Sequence, residues 1–314
     1  MRQGRQSMTW KTVPALTRTT LSLIVACSAL TGFIYFRHAI TGEVWFAFAG
    51  VFLMACAASA LNQYQEREFD AIMERTKNRP LPLRQISGRA VLLLTVLIEL
   101  AGISILYFGT TPLAALLGVL TLLWYNGVYT PLKRKTRYAV LIGAFTGALP
   151  PLIGYTAAGG GIISTCLVIS LFMFLWQVSH FQLLLVKYGK EYEKAGFSAM
   201  TSSTDEKAVR ISVFIWMAAA AGSALLLPLF GMIFKGSVLW LMVIACVLIV
   251  SYFLAFAVLT LKYFNFRTAS YSMYLFQACI FSVLIAGSLA WPGSGTTIYP
   301  GNFELRRLVP SFER

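Results

Sequence analysis

The residues best suited to chemistry lie in one polar block, NQYQEREFDAIMERTKNRPLP, which runs from Asn62 to Pro82. Asn62, Glu66 and Asp70 recur at every fourth position, so on a helix they would share one face about 12 Å long. Mg²⁺ typically takes one or two carboxylates together with phosphate oxygens of a substrate. The block therefore predicts a metal-bridged polyphosphate site, with Glu66 and Asp70 as metal ligands and Asn62 as a neutral ligand or hydrogen-bond donor.

Cationic side chains accompany this block and a second one. Arg75 and Arg79 follow the acidic residues, and Lys133 and Arg134 belong to the block YTPLKRKT at 129–136. Arginine and lysine stabilise the charge that develops on a departing diphosphate. Consecutive cations after a membrane span are equally typical of topology anchors, so for the second block both interpretations stay open.

A further acidic segment is KYGKEYEKAGFSAM at 187–200, which we interpret as a charged loop. Glu191 is a candidate ligand for a second metal ion, and Tyr188 or Tyr192 is a candidate donor to phosphate. An ordinary charged loop would look much the same, so this segment carries weight only if it lies beside the first block.

Three features fall inside the apolar segments. His180, in the block WQVSHF, is a rare residue for a bilayer interior, where histidine usually faces a cavity or a partner helix. We expect it to point into the bundle beneath the acidic blocks, with a purely structural histidine as the alternative. Glu99 is a functional-site candidate whose partner the sequence does not name. Pro150 and Pro151 predict a break in a helix within the membrane.

The composition predicts the scaffold that positions these residues. The chain has 314 residues, of which 58% are hydrophobic and 12% charged, and its mean hydropathy is +0.71. Backbone groups in hydrocarbon must satisfy one another, and the apolar runs are continuous rather than alternating, so helices are favoured over a barrel. We predict an all-α polytopic membrane protein with about nine spans, at roughly 18–36, 44–62, 88–108, 112–130, 138–156, 162–186, 209–229, 237–261 and 269–291.

The formal net charge of +14 reflects topology rather than nucleic-acid binding. Most of the 26 lysines and arginines fall in the N-terminal segment and in alternate loops, which is the positive-inside pattern. We therefore expect a multi-pass protein of the cell membrane, the inner membrane of a bacterium. Its parts are predicted to be a cytoplasmic N-terminal segment at 1–17, a transmembrane domain at 18–291 and an outer-face tail at 292–314. The five cysteines are scattered singly, so they predict neither a zinc site nor disulfides.

With these blocks in view, the chain resembles the UbiA-type intramembrane prenyltransferase superfamily, and within it the branch that farnesylates haem. The first block, YTPLKRKT, GALPPLIG, the His180-Phe181 pair and EYEKAG stand in family order and span most of residues 16–291. The resemblance implies a nine-helix bundle that opens sideways to membrane lipid. It also implies farnesyl diphosphate and haem B as substrates, haem O and diphosphate as products, Mg²⁺ as cofactor, and terminal oxidase assembly as a possible recipient.

The resemblance also implies roles for individual residues. It places catalysis and diphosphate–metal binding at Asn62, Glu66, Asp70, Arg75, Lys133 and Glu191. It places substrate binding at Arg79, Arg134, His180, Tyr188 and Tyr192, with Glu66, Asp70 and Glu191 as the metal ligands. The chain departs from the family pattern by having Glu at 191, Val and Ser at 178 and 179, and Ala at 139.

Two other functions fit parts of the pattern. A prenyltransferase acting on an aromatic quinone precursor such as 4-hydroxybenzoate would share the fold, but those relatives usually carry an Asp-rich motif where this chain has Gln63 and Glu66. A transporter or channel would explain nine spans and Glu99, but it would favour inverted repeats and polar residues spread over several spans. The clustering of acids in few segments favours an enzyme.

Overall fold

The computed structural model describes residues 12–136, 138–196, 206–230, 237–262 and 265–290. All regular structure in these ranges is helical. The helices are α1 (Thr12–Thr17), α2 (Thr19–Arg37), α3 (Glu43–Asp70), α4 (Gly88–Gly109), α5 (Pro112–Leu122), a π-helical segment (Leu123–Tyr129), α6 (Thr130–Leu132), α7 (Ala139–Ala157), α8 (Ser164–Lys194), α9 (Glu206–Phe230), α10 (Ser237–Lys262) and α11 (Phe266–Leu289).

Within the described ranges, nine helices are long and apolar enough to cross a membrane, which confirms the all-α polytopic fold class. Each predicted span coincides with one of them, and α5, the π-helical segment and α6 together form the fourth. Residues 1–11 of the predicted N-terminal segment and the whole predicted tail at 292–314 lie outside the described residues. The predicted division into segments therefore stays a prediction at both ends.

The described spans form a ring, and further helix pairs, chiefly α2 with α7, pack across it. Neighbours in sequence pack against each other from α2 through α5, and again from α7 through α11. The last helix, α11, packs back on α2, and α2 also packs along α7. This arrangement encloses a space that is bounded by helices from both halves of the chain.

Glycines allow the close contact between α2 and α7. A Cβ added at Gly32 would collide with the carbonyl oxygen of Pro151, and one at Gly154 would collide with the carbonyl oxygen of Ala29. The expected helix break at Pro150 and Pro151 is wrong, because α7 continues through both residues. Both prolines are buried, and helices packed around a transmembrane segment can support a proline within it.

We expect Gly154→Ala to destabilise the protein by about 1–3 kcal/mol or more, because the new methyl group meets backbone that has no room to move aside. The midpoint of thermal unfolding of the purified protein in detergent measures this effect. Gly222→Ala is the matched control, since a Cβ there meets nothing within 4 Å. Equal midpoints for the two variants would contradict the close packing of α2 on α7.

Candidate active site

The polar block is a continuation of α3, which runs unbroken from the membrane span to Asp70. Asn62, Glu66 and Asp70 are only 3%, 4% and 1% exposed, although they end a helix that leaves the apolar region. All three line one cavity. The four-residue spacing therefore does place them on a single face, as the sequence predicted, and that face looks inward.

Two ion pairs hold the carboxylates. Lys133 Nζ lies 2.5 Å from Glu66 Oε1, and Arg79 Nη1 lies 2.6 Å from Asp70 Oδ2. The partners are mostly buried in both pairs. Removing one member of a buried pair leaves an uncompensated charge, so each cation and its carboxylate depend on each other.

The segment after α3 folds back over the carboxylates. The Thr76 hydroxyl donates to the Asp70 carbonyl oxygen at 3.0 Å, which sets the return of the chain toward Arg79. Arg75 joins this segment to α8, because its backbone N–H donates to Glu191 Oε2 at 3.4 Å and its Nη2 donates to the Tyr192 hydroxyl at 3.3 Å. The two acidic blocks thus meet at one end of the bundle, which we call the polar end.

The π-helical segment brings the basic block to the same place. The Gln65 amide donates to the Asn126 carbonyl oxygen at 3.0 Å, and the Asn126 amide donates back to Gln65 Oε1 at 3.1 Å. Asn62 Nδ2 donates to the Thr130 hydroxyl at 3.1 Å, one turn before Lys133. A π-helical turn changes the direction of the side chains that follow it, and such turns are frequent at functional sites. These amide contacts fix the position of the π-helical segment against α3, and this position places Lys133 beside Glu66.

The polar end carries more positive than negative charge. Four cationic side chains and two carboxylates line the cavity, namely Arg18, Arg75, Arg79 and Lys133 with Glu66 and Asp70. Burial lowers the pKa of Lys133, and the Glu66 carboxylate opposes part of that shift. Burial, followed by the positive charge of Arg18, lowers the pKa of Arg79 against the opposing effect of Asp70. Crowded, buried cations of this kind favour the arrival of a polyanion.

The whole cavity has a volume of about 580 Å³, and beyond the polar end its lining residues fall into two different groups. The first group, on α2, α3, α5 and α7, has small and apolar residues such as Val25, Val51, Met54 and Gly118. The second group, on α8 and α11, has aromatic and amide side chains, including Trp176, Gln177, His180, Tyr274 and Gln277. We call the parts of the cavity lined by these two groups of residues the aliphatic branch and the aromatic branch.

His180 lies in the aromatic branch, which confirms that it points into the bundle. Its ring stacks on Trp176 with centroids 5.3 Å apart, and its Nε2 lies 3.3 Å from the Tyr274 hydroxyl. Trp176 is itself held by a hydrogen bond from Nε1 to the Met273 carbonyl oxygen. A flat, polarisable surface with an imidazole beside it suits a planar aromatic ligand.

Most of the predicted site residues meet at this cavity. Its lining includes Asn62, Glu66, Asp70, Arg75, Arg79, Lys133, His180 and Tyr192. Three others lie off its wall. Arg134 packs over the Phe69 ring and donates to the Gln65 carbonyl oxygen, while Tyr188 lies beneath Arg75 and Lys187.

Glu191 is the third residue off the wall, and its segment differs from the expected loop. Residues 187–194 continue α8 as a helix to Lys194, and the last four residues of that block, 197–200, lie outside the described part of the chain. Glu191 faces the Arg75 backbone rather than the cavity. The helix extends beyond the apolar span because neither a proline nor a pair of glycines interrupts the polar residues that follow. It ends shortly before Gly196, whose φ of 86° is typical of a helix C-terminus.

The donor set fits a metal ion held partly by a substrate. Within the described ranges, no three His, Cys, Asp or Glu side chains lie close enough together to hold a metal, so Glu66, Asp70 and Glu191 do not form a complete shell. Asp70 Oδ1 is buried and has no hydrogen-bond partner among the described residues. An orphaned carboxylate oxygen beside Glu66 fits an Mg²⁺ ion whose other ligands come from phosphate and water.

Several cavity residues escaped the sequence analysis. Arg18 lies in the sequence at the start of the first span, where a positive charge is typical of membrane topology, and in the structure it adopts a left-handed backbone conformation (φ 48°) between α1 and α2 and lines the polar end. Tyr125 and Tyr129 stack 5.6 Å apart on the cavity wall, and Tyr129 lies 5.3 Å below Lys133 Nζ. Their four-residue spacing and position at the start of YTPLKRKT were the signals available.

Comparison with protein families decides the assignment of this bundle. The model of the UbiA prenyltransferase family matches residues 20–282, which include all nine described spanning helices except the first residue of α2 and the end of α11. The chain belongs to the UbiA prenyltransferase family. The cavity shared by the first acidic block, the basic block and α8 is therefore the candidate active site of a UbiA prenyltransferase.

Individual relatives agree with this membership. The protoheme IX farnesyltransferase of Geobacter sulfurreducens is 39% identical over 236 residues, which cover 74% of this chain and 87% of the relative. The protein of the same name from Nitratidesulfovibrio vulgaris is 33% identical over 235 residues, covering 74% and 82%.

Solved UbiA structures share the fold. A digeranylgeranylglyceryl phosphate synthase superposes with a TM-score of 0.68 at 19% identity, covering 89% of this chain and 98% of that one. A UbiA homologue from Archaeoglobus fulgidus bound to DMAPP and Mg²⁺ superposes with a TM-score of 0.64 at 14% identity, covering 87% and 99%. At these identities the likeness concerns the arrangement of the helices.

Proposed function

We propose that this protein transfers the farnesyl group of farnesyl diphosphate to a vinyl group of haem B, with addition of water, giving haem O and diphosphate. The observation that carries the proposal is one cavity whose cationic, carboxylate-bearing end joins an aliphatic branch and an aromatic branch. The relatives named protoheme IX farnesyltransferase support the same donor and acceptor.

The polar end suits the diphosphate and its metal. Glu66 and Asp70 would hold Mg²⁺, which supplies Lewis-acid stabilisation of the leaving diphosphate. Lys133 and Arg79, which pair with the two carboxylates, would neutralise the charge of the diphosphate oxygens. Arg75 lies on the same wall, where a bidentate guanidinium can grip a phosphate. Glu191 would position Arg75 through the backbone rather than bind metal directly.

The chemistry then follows the two branches. The C1–O bond of the donor breaks with its electron pair on diphosphate, and the terminal carbon of a haem vinyl group bonds to C1. The positive charge left on the inner vinyl carbon accepts the oxygen of water, and a proton is released. Tyr125 and Tyr129 line the junction below Lys133, where aromatic faces stabilise a passing carbocation.

The aromatic branch supplies the acceptor side. The stacked pair of Trp176 and His180 offers a flat surface for the porphyrin, and Tyr274 fixes the imidazole. We propose that His180 contacts haem. Tyr188 and Arg134 lie off the cavity wall, so their part is to support Arg75 and α3 respectively.

We also propose an orientation. The polar end gathers Lys133, Arg75 and the helix end at Lys194, and the positive-inside rule assigns such an end to the cytoplasm. The N-terminus would then be cytoplasmic and the C-terminus would lie on the outer face. Haem O released sideways into lipid would be available to terminal oxidase assembly.

Acceptor competition tests the proposed function. Purified protein in liposomes is given farnesyl diphosphate, Mg²⁺, haem B and 4-hydroxybenzoate together, and the products are separated by mass spectrometry. We expect a hydroxyethylfarnesyl haem and no farnesylated benzoate. Farnesylated benzoate without farnesylated haem would favour the quinone-precursor function instead.

A further inference from the structure

Two polar side chains on the cavity wall have no part in the proposed function so far. Thr146 on α7 and Gln177 on α8 both line the cavity. The Thr146 hydroxyl oxygen is buried and has no hydrogen-bond partner among the described residues. A Cβ added at Gly147 would lie 2.8 Å from Gln177 Oε1, so this amide lies against α7 at the residue next to Thr146. Two polar groups thus lie at one part of the wall without bonding to each other.

Contacts along α7 and α8 place this pair between the polar end and the aromatic branch. One turn nearer the polar end on α7, a Cβ added at Gly143 would lie 2.6 Å from the Tyr129 ring and 2.9 Å from the Phe181 ring. Tyr129 in turn lies 5.3 Å below Lys133 Nζ. Gln177 precedes Phe181 by four residues on α8, so it lies about 6 Å farther from the polar end.

The same pair adjoins the proposed acceptor site. Gln177 follows Trp176 directly and precedes His180 by three residues, and all three side chains line the cavity. An acceptor held by Trp176 and His180 would therefore react close to Gln177, because the donor carbon reaches it past Tyr129.

The vinyl carbon that carries the positive charge can react in two ways. A water oxygen can add its electron pair to form a C–O bond, after which a proton leaves and the diphosphate released in the same reaction accepts it. Alternatively, the carbon that has bonded to the farnesyl group loses a proton, its C–H electron pair forms a C=C bond, and the product lacks the water. A closed site keeps stray water away from such a cation. The hydroxylated product therefore requires one water that is held in place.

Thr146 and Gln177 supply the groups that such a water needs. An amide oxygen accepts hydrogen bonds, and a hydroxyl group both donates and accepts them. A water that donates one hydrogen to Gln177 Oε1 and the other to Thr146 Oγ1 keeps a lone pair free for the carbocation. Polar, buried groups that lack a protein partner are also where ordered water is expected.

We propose that Thr146 and Gln177 together hold the water that adds to the vinyl carbon, so that the product is hydroxylated. This inference rests on the proposed function and assigns residues to the step that forms its hydroxyl group. Gly147 takes part by leaving room for the Gln177 amide.

The ratio of two products tests this inference. Wild-type and variant proteins in liposomes receive farnesyl diphosphate, haem B and Mg²⁺, and mass spectrometry separates hydroxyethylfarnesyl haem from the alkene that lacks one water. This ratio does not depend on how much protein is active. In Thr146→Val and in Gln177→Leu we expect the ratio of alkene to hydroxylated haem to rise about fivefold or more, as for the loss of one hydrogen bond. Gly147→Ala should raise it as well, because its methyl group displaces the amide without removing it.

Matched controls come from the same two helices. The Thr156 hydroxyl donates to the Leu152 carbonyl oxygen within α7, and the Gln182 amide on α8 donates to the Ser212 hydroxyl. Neither Thr156 nor Gln182 lines the cavity. Thr156→Val and Gln182→Leu should therefore keep the wild-type ratio. Thr146→Ser should also stay close to it, since the hydroxyl group is retained.

The outcomes separate this inference from the proposed function. A wild-type protein that forms no hydroxylated haem overturns both. Hydroxylated haem from the wild type, with an unchanged ratio in Thr146→Val, Gln177→Leu and Gly147→Ala, overturns the inference alone. A slower reaction at an unchanged ratio would assign the two side chains to haem binding and overturn it as well. If one variant yields too little product to measure, the other two decide the question.

Discussion

Asp70→Asn is expected to reduce farnesyl transfer by about 10²–10³-fold, because it removes a charged ligand from the place where the leaving diphosphate gains charge. The substitution keeps the shape of the side chain, and Asn can still accept a hydrogen bond from Arg79. The loss should appear mainly in the Mg²⁺ dependence, with a higher concentration of metal needed for half-maximal rate. Initial rates at several Mg²⁺ concentrations measure both quantities.

A neighbouring carboxylate provides the control. Glu68 belongs to the same end of α3, but its side chain is 79% exposed and its contact is with Arg67 at the surface. Glu68→Gln should therefore keep the wild-type rate and the wild-type Mg²⁺ dependence. Full activity in Asp70→Asn would remove Asp70 from the metal site and leave the four-residue pattern without its proposed meaning.

Lys133→Met is expected to lose activity and also to destabilise the protein by about 3–5 kcal/mol, because it leaves Glu66 buried without its cation. The double variant Glu66→Met with Lys133→Met should recover most of the stability, since two apolar side chains of similar size replace the pair. It should recover none of the activity. Thermal unfolding midpoints and farnesyl transfer rates for the single and double variants measure the two effects separately.

An exposed ion pair serves for comparison. Lys77 Nζ lies 2.6 Å from Glu74 Oε2, and the two side chains are 45% and 74% exposed. Ion pairs as exposed as this one contribute little to stability. Lys77→Met should therefore change neither the midpoint nor the rate. Recovery of activity in the double variant at Glu66 and Lys133 would mean that the pair is structural only.

The first acidic block shows what the sequence could predict. Its period of four residues required only that α3 continue past the span, and α3 does so to Asp70. The burial of that face was not part of the prediction, because it depends on the packing of Lys133 and Arg79 against the two carboxylates. The nine spans were predictable for a related reason, because continuous apolar runs of that length leave the backbone no other arrangement in lipid.

Two predictions were wrong because contacts between helices override local sequence signals. Pro150 and Pro151 predicted a break, but the contact of Pro151 with Gly32 on α2 supports a continuous α7. The charge of the segment beginning at Lys187 predicts a loop, whereas in the structure this charge lies on the last turns of α8, which projects as a helix beyond the apolar region.

Contacts between residues that are far apart in the sequence could not be predicted from it. The contacts of Lys133 with Glu66 and of Arg79 with Asp70 depend on how helices meet, and no local period encodes them. The position of the Met54 side chain is similar, since it lies against Gly102 on α4 and Gly118 on α5. Single glycines within apolar spans are common, so the sequence did not distinguish these two.

The most direct test of the proposed chemistry uses labelled water. Purified wild-type protein in liposomes is supplied with farnesyl diphosphate, haem B and Mg²⁺ in water enriched in oxygen-18, and the extracted haem is analysed by mass spectrometry. Our account predicts a haem that has gained one farnesyl group and one labelled oxygen, with one diphosphate released for each. Unmodified haem, or diphosphate release without farnesylated haem, would contradict it.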